Sequence, residues 1–263
     1  MTNRVNQNLD EVRQRIVQAC SAAGRAVDSV TLLAVSKTFG ADAVRAAFAA
    51  GQRAFGENYV QEALDKIADL ADLRQQIEWH LIGPLQSNKT RVVAAAFDWV
   101  HSVDRLKIAQ RLSAQRPAGL LPLHLCLQVN ISGEASKSGL LPNEVLAVAQ
   151  AVSALPNLRL RGLMAIPEPA DGEPAQRAPH RALRGLLATL NGAGLGLDTL
   201  SMGMSADLAA AVAEGATVVR VGTAIFGGRE KTPDALPPTP LRLDQAGPLT
   251  AADIEAAIAA GRA

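Results

Sequence analysis

"LLAVSKTFGADAVRAAFAAG" (residues 32–51) changes character half-way. An apolar, β-rich run ends at Lys37, and after Gly40 comes "DAVRAAFAAG" (42–51), an alanine-rich stretch with helical character. A short apolar run followed by a helical segment is half of a strand–helix–strand unit. Whether that unit repeats decides the fold. Apolar runs recur as "TLLAVSK" (31–37), "RAFGEN" (53–58), "EWHLIG" (78–83), "WVHSVD" (99–104), "LHLCLQVN" (123–130), "LRLRGLMAI" (158–166), "TLSMGM" (199–204) and "VVRVGTAIFG" (218–227). Each of the first seven precedes a segment with helical character, which implies a parallel sheet built through right-handed crossovers. Eight such units most simply close into an α/β fold, a single (β/α)8 TIM barrel. A doubly wound open sheet is the alternative, because periodicity alone does not show closure.

The flanks differ from this core. Residues 4–23 read as an extra N-terminal helix, and residues 1–228 as one barrel domain. From Arg229 the pattern breaks: "TPDALPPTPLRLDQAGP" is proline-rich and reads as a linker. Beyond it, "TAADIEAAIAAG" offers Thr250 as an N-cap with Asp253 three residues on, ahead of a short C-terminal helix, so residues 229–263 form a C-terminal extension. "GAGLGL" (192–197) follows a helix instead of a strand, which rules out a dinucleotide-binding reading of its glycines.

A chain of 263 residues with 48% hydrophobic content can bury one large core. Lys plus Arg total 26 against 25 Asp plus Glu, so no long-range field favours nucleic acid or an anionic membrane. The N-terminus is polar, and no apolar stretch reaches the roughly 18 residues needed to cross a bilayer. The reading is a cytoplasmic protein with no membrane or nucleic-acid partner. Cys20 and Cys126 lie far apart in no metal-ligand spacing, and no metal is expected.

In such a barrel the active face lies at the C-terminal ends of the strands. Those ends deliver Lys37, Asn58, Asn130, Ser201 leading to Ser205, and Arg220 before Gly222 and Thr223. Alternation places Leu33, Val35 and Lys37 on one face of the first strand, so the lysine points into the lumen if its neighbours do. A partly dehydrated lysine loses ionisation energy, and its neutral amine can form a Schiff base with a carbonyl. The hydroxyls of Ser201, Ser205 and Thr223, with backbone freed at Gly222, suit a phosphate. An aldehyde that carries a phosphate is pyridoxal 5′-phosphate (PLP). A buried Arg220 needs an acceptor, and the pyridine nitrogen of PLP is one. Each residue also has an ordinary reading: a strand-exit lysine, a turn asparagine, capping serines, an arginine paired with a carboxylate.

Six segments, "AVSKT", "FGENYVQEALDK", "EWHLIGPLQSNK", "VNISGEASKSG", "LRGLMAIPEP" and "LSMGMSADLAAAVAEGATVVRVGTAIFG", closely resemble the pyridoxal phosphate homeostasis protein family. The fold of that family is like the N-terminal barrel of alanine racemase, and the resemblance spans residues 5–228. It implies PLP held as an aldimine on Lys37, with Asn58 nearby and Arg220 facing the ring nitrogen. It places Ser201, Gly222 and Thr223 around the phosphate, with Met164 and Ser205 lining the pocket. Lys137, in "EASKSG", is a second lysine of this pattern that could meet cofactor or partner. The implied function is intracellular PLP homeostasis, holding the cofactor and releasing it to PLP-dependent apoenzymes without substantial catalysis, as a monomer or weak dimer. The alternative is a PLP-dependent amino-acid racemase, which needs an acid–base group on each face of its substrate. The one tyrosine available for that role is Tyr59.

Overall fold

The structure, a computed structural model, describes residues 2–133 and 138–228. Lys137 and the expected linker and helix of residues 229–263 lie outside the described residues. Eight strands follow the predicted runs: β1 (Thr31–Val35), β2 (Ala54–Glu57), β3 (Glu78–Leu81), β4 (Trp99–Val103), β5 (Leu123–Gln128), β6 (Leu158–Met164), β7 (Thr199–Ser201) and β8 (Val218–Val221). They pair in chain order, all parallel, and β8 pairs with β1, with Leu33 opposite Arg220. The sheet is therefore a closed barrel, and the open-sheet alternative is excluded.

Helices alternate with the strands: α1 (Thr2–Ala22), α2 (Ala41–Ala49), α3 (Val60–Asp69), α4 (Thr90–Ala96), α5 (Leu106–Gln115), α6 (Val145–Ser153), α7 (Glu173–Gly192), α8 (Leu208–Ala213) and α9 (Thr223–Phe226). The eighth apolar run is the one that divides. The strand stops at Val221, the backbone turns at Gly222, and Thr223–Phe226 forms α9 instead of prolonging the strand. The leading helix buries Val5, Leu9, Val12, Ile16 and Cys20, a spacing of three and four residues that defines one apolar stripe. That stripe packs on α2, α8 and α9, and Asn8 Nδ2 donates to the Ile225 carbonyl at 2.7 Å. The N-terminus of the chain thus fixes the segment that carries Gly222 and Thr223.

Strand alternation separates two environments. Phe55, Trp79, Leu81, Leu125, Leu127 and Leu163 face outward into the main core beneath the helices. Burial of each such side chain stabilises the fold by roughly 1.5–3 kcal/mol. The lumen holds only small apolar clusters: Leu33, Ala54 and Val218 with Ile82, and Trp99 with Cys126 and Met164. The Cys126 thiol, wholly buried there, is pushed up to about 12, which keeps it protonated. Between those clusters the lumen is polar, with His80, His101, Ser201 and Arg220 all buried. An interior filled with branched aliphatics would be the stable default, so this composition asks for another reason. Among the described residues no helix is long and apolar enough to cross a membrane, and no group of three or more His, Cys, Asp or Glu could hold a metal ion.

Candidate functional site

Lys37 sits two residues beyond β1, in a turn, half-buried, with no hydrogen bond or ion pair of its own among the described residues. Leu33 lies in the lumen, so alternation continued past the end of β1 would place Lys37 on the predicted face. The turn is held from outside the barrel. Lys66 of α3 donates to the Ser36 carbonyl at 2.7 Å and pairs with Glu57 and Glu62, each at 2.7 Å. Ser36 Oγ donates to the same Glu57 oxygen at 2.6 Å, and the Thr38 N–H donates to Glu62 at 2.5 Å. Thr38 has φ of 68°, a left-handed backbone that a β-branched residue rarely adopts. Strain of this kind costs about 1–3 kcal/mol and persists only where surrounding bonds over-determine it. The Lys66 clamp does so on both sides of Lys37. Burial pushes the Glu57 carboxyl above its usual range against the opposing pull of Lys66 and Ser36, and its Oε2 has no partner.

Arg220 lies on the neighbouring strand, 4% exposed. Its Nη1 donates to the Ser201 carbonyl at 2.6 Å and to Ser201 Oγ at 2.9 Å, and its Nη2 donates to the Ala165 carbonyl at 2.8 Å. None of these acceptors is charged. Burial lowers the guanidinium to about 10, still cationic at neutral pH. A guanidinium has five N–H groups, so two, one on Nη2 and the Nε–H, are left to donate elsewhere. Ser201 was expected at a phosphate, but its hydroxyl is engaged in the lumen by Arg220 and by His101 Nδ1 at 2.8 Å. Met164, fully buried, lies at the same level, opposite Ser201 in the β6–β7 register.

The remaining predicted residues stand at the strand ends. Asn58 follows β2, and its Oδ1 is buried without a partner. Gly83 lets the chain after β3 pack directly on the Asn58 backbone: a Cβ there would lie 2.1 Å from the Asn58 carbonyl oxygen. Ser205 is half-buried after β7, and its carbonyl accepts from Arg15 of α1. Gly222 is half-buried, and a Cβ on it would lie 2.9 Å from the Val35 carbonyl oxygen. Thr223 is exposed at the start of α9. Asn130 is buried after β5, where its Oδ1 accepts from the Gly133 N–H at 3.1 Å.

Sequence reasoning passed over Glu57, Glu62, Lys66, His80 and His101. A signal existed for Lys66 and for the two histidines. Lys66 falls on the stripe of Val60 and Ala63, where an apolar residue belongs, and is buried. His80 and His101 occupy lumen-facing strand positions by simple alternation from Glu78 and Trp99.

A family model described as alanine racemase, N-terminal domain, matches residues 7–230. The pyridoxal phosphate homeostasis protein of Pseudomonas aeruginosa is 65% identical over 226 residues, 86% of this chain and 96% of its own. The chain belongs to the pyridoxal phosphate homeostasis protein family. The member of that family from Escherichia coli K12 is 52% identical over 229 residues, covering 87% of this chain and 98% of its own. PipY of Synechococcus elongatus, solved with PLP bound, superposes with a TM-score of 0.74 at 40% identity, covering 85% of this chain and all (100%) of PipY. Alanine racemase of Clostridium difficile has a TM-score of 0.67 at 14% identity over 88% of this chain and 58% of its own, a likeness of fold.

Proposed function

We propose that this protein binds PLP at the C-terminal mouth of the barrel and serves the intracellular homeostasis of that cofactor. One observation carries the reading: a buried, cationic Arg220 has two N–H groups to spare and no carboxylate, on the strand beside the one that leads to the unpaired amine of Lys37. A buried cation without a counter-charge is costly unless a ligand supplies an acceptor. The pyridine nitrogen and aldehyde of PLP match the two groups. The orphaned Asn58 Oδ1 at the same rim is a further sign that a polar group belongs there. The names of the relatives and the PLP bound to PipY support the same ligand.

In this reading Lys37 attaches the cofactor covalently, Arg220 donates to the ring nitrogen, Asn58 flanks the attachment point and Met164 closes the pocket from below. Ser205, Gly222 and Thr223 receive the phosphate, while Ser201 serves by holding Arg220. When bound, PLP supplies an electrophilic aldehyde and an electron-withdrawing ring. Everything else the chain does is to hold and shield it. A donor from a cationic arginine keeps the ring nitrogen unprotonated, which weakens that withdrawal. Tyr59, the chain's one tyrosine, is 55% exposed, which argues against a fixed second base over the pocket. Hence the proposed role is storage and delivery to PLP-dependent apoenzymes in the cytoplasm, by a monomer or weak dimer, with little turnover.

Borohydride reduction of the PLP-loaded protein followed by peptide mapping tests the assignment. The pyridoxyl label is expected on Lys37. A label on another lysine with Lys37 unmodified would overturn it.

A further inference from the structure

Five side chains of the lumen form one continuous hydrogen-bonded chain. Arg220 Nη1 meets Ser201 Oγ at 2.9 Å, Ser201 Oγ meets His101 Nδ1 at 2.8 Å, and His101 Nε2 meets His80 Nδ1 at 2.9 Å. His80 Nε2 meets Glu78 Oε2 at 3.4 Å, and the other Glu78 oxygen accepts from Trp99 Nε1 at 2.8 Å. The two ends are chemically one-way. A guanidinium only donates, and an ionised carboxylate only accepts. Glu78 is ionised, held down to about 2 by His80, with Trp99 adding to the effect.

We propose that these protons are ordered in one direction, Arg220 to Ser201 to His101 to His80 to Glu78, and that the order fixes the guanidinium under the ligand. Glu78, His80 and His101 are then positioning residues for the site described above. The assignment follows link by link. Ser201 Oγ accepts from Arg220, and its other partner among the described residues is His101, so its buried hydroxyl hydrogen has His101 Nδ1 to receive it. His101 Nδ1 being an acceptor, the imidazole carries its proton on Nε2, which donates to His80 Nδ1. His80 in turn carries its proton on Nε2, which donates to Glu78. The opposite arrangement, with a charged His80 donating both ways, would leave the Ser201 hydroxyl hydrogen buried without an acceptor. It would also place a second positive charge against a fully buried His101 that already faces Arg220 through Ser201, and the charged form of His101 is disfavoured by burial, His80 and Arg220. Arg161, over the Trp99 ring at 4.9 Å, adds positive charge from β6.

The chain spans the barrel. Glu78 lines a cavity at the N-terminal ends of the strands, whereas Arg220 faces the opposite mouth. A change at Glu78 is therefore expected to be felt at the ligand. Glu78→Gln makes the expectation sharp. Its amide has one acceptor oxygen for two donors, and the indole N–H of Trp99 can never accept, so the oxygen must stay with Trp99. The amide NH2 then faces His80 Nε2, which must become an acceptor. His80 moves its proton to Nδ1, His101 moves its own to Nδ1, and the chain reverses as far as Ser201.

The experiment is 15N NMR of the full-length protein labelled at histidine, first ligand-free and then loaded with PLP. In the wild type, His80 and His101 should each show a protonated Nε2 and an unprotonated Nδ1 at pH 7.5. In Glu78→Gln, both should switch to Nδ1–H, and PLP affinity should fall about three- to tenfold, the worth of one mis-set hydrogen bond. A charged His80 or an Nδ1–H His101 in the wild type overturns the proposal, as does a Glu78→Gln protein whose His101 keeps its proton on Nε2. The ligand-free spectra test the proton order even if the borohydride label falls elsewhere than Lys37, so the two readings fail separately.

Discussion

At the N-terminal ends of the strands, Arg53, Arg74 and Arg116 border a cavity of about 620 Å³. At the C-terminal ends, Arg220 is buried in the lumen and Lys37 sits half-buried in the turn after β1. The lower arginines are all answered. Arg74 meets both oxygens of Asp98, Arg116 reaches the carbonyls of Ala94, Phe97 and Leu121, and Arg53 reaches those of Phe48 and Gln52 while stacking on the Phe48 ring. Lys37 is not answered in this way, the Arg220 guanidinium keeps two N–H groups free beyond its contacts with Ser201 and Ala165, and Asn58 Oδ1 and Glu57 Oε2 nearby have no partner. Unsatisfied polar chemistry, which a folded protein rarely keeps without use, favours the C-terminal mouth as the proposed ligand site.

The largest consequence of this asymmetry is expected at the clamp under Lys37. Lys66→Met removes the cation from a fully buried Glu57 and frees the Ser36 carbonyl. The cost should be about 3–5 kcal/mol, the range for stranding one partner of a buried pair. Urea unfolding measures it, and Lys66→Met combined with Glu57→Gln should recover much of the loss. A loss below about 1 kcal/mol would put this clamp on a par with an exposed ion pair and erase the contrast between the two ends.

Next in size is Arg220→Met. Its loss should weaken PLP binding by about 1.5–3 kcal/mol, the worth of a hydrogen bond to a charged group, or roughly 10- to 150-fold. Titration of the ligand-free variant with PLP, followed by absorbance, reads this directly. Unchanged affinity in a folded variant would mean that Arg220 meets no ligand atom.

What could be read from the chain divides along the same line. Lys37 and Arg220 stood out because a charged residue in, or just beyond, a lumen-facing strand violates the local apolar pattern. The count of eight units gave the barrel for the same reason, since each unit announces itself locally. The clamp was hidden because its parts lie on β2, α3 and the β1 turn, and only packing of α3 on the sheet brings them together. Ser201 was assigned to a phosphate since a strand-end hydroxyl has no direction in sequence. The partners its hydroxyl has in the structure, His101 on β4 and Arg220 on β8, are set by barrel closure. The eighth strand was drawn too long because "TAIF" is as apolar as the strand before it, and only the turn at Gly222 divides them.

The acid limb of stability probes the foot of the lumen. Glu78 titrates at about 2 in the folded protein against 4.5 as its ordinary value, chiefly through His80. Its folded value is depressed, so its contribution is fully present above pH 4.5 and is lost as pH falls towards 2. Thermal unfolding of wild type and Glu78→Gln should therefore converge across that window and run parallel above it. Parallel curves through the window would show that Glu78 gains nothing from its partners.

The smallest effect is expected at the lower cavity itself. Arg74 and Asp98 keep 24% and 28% of their side-chain surface in contact with solvent, and the guanidinium also reaches the Ala96 and Ile77 carbonyls. Removing it by Arg74→Met leaves Asp98 with water and with the Trp79 N–H, which already donates to it at 2.8 Å. The carboxylate is not stranded, so the loss should be about 1 kcal/mol, as for a partly exposed pair. Arg74 belongs to no part of the chain from Arg220 to Glu78, so PLP affinity should stay within about twofold, less than the worth of one ordinary hydrogen bond. Both quantities come from the same preparations used for Arg220→Met. If Arg74→Met weakened PLP binding as much as Arg220→Met does, the cavity at the foot of the barrel would have to be counted as part of the ligand site, and the contrast between its two ends would fall.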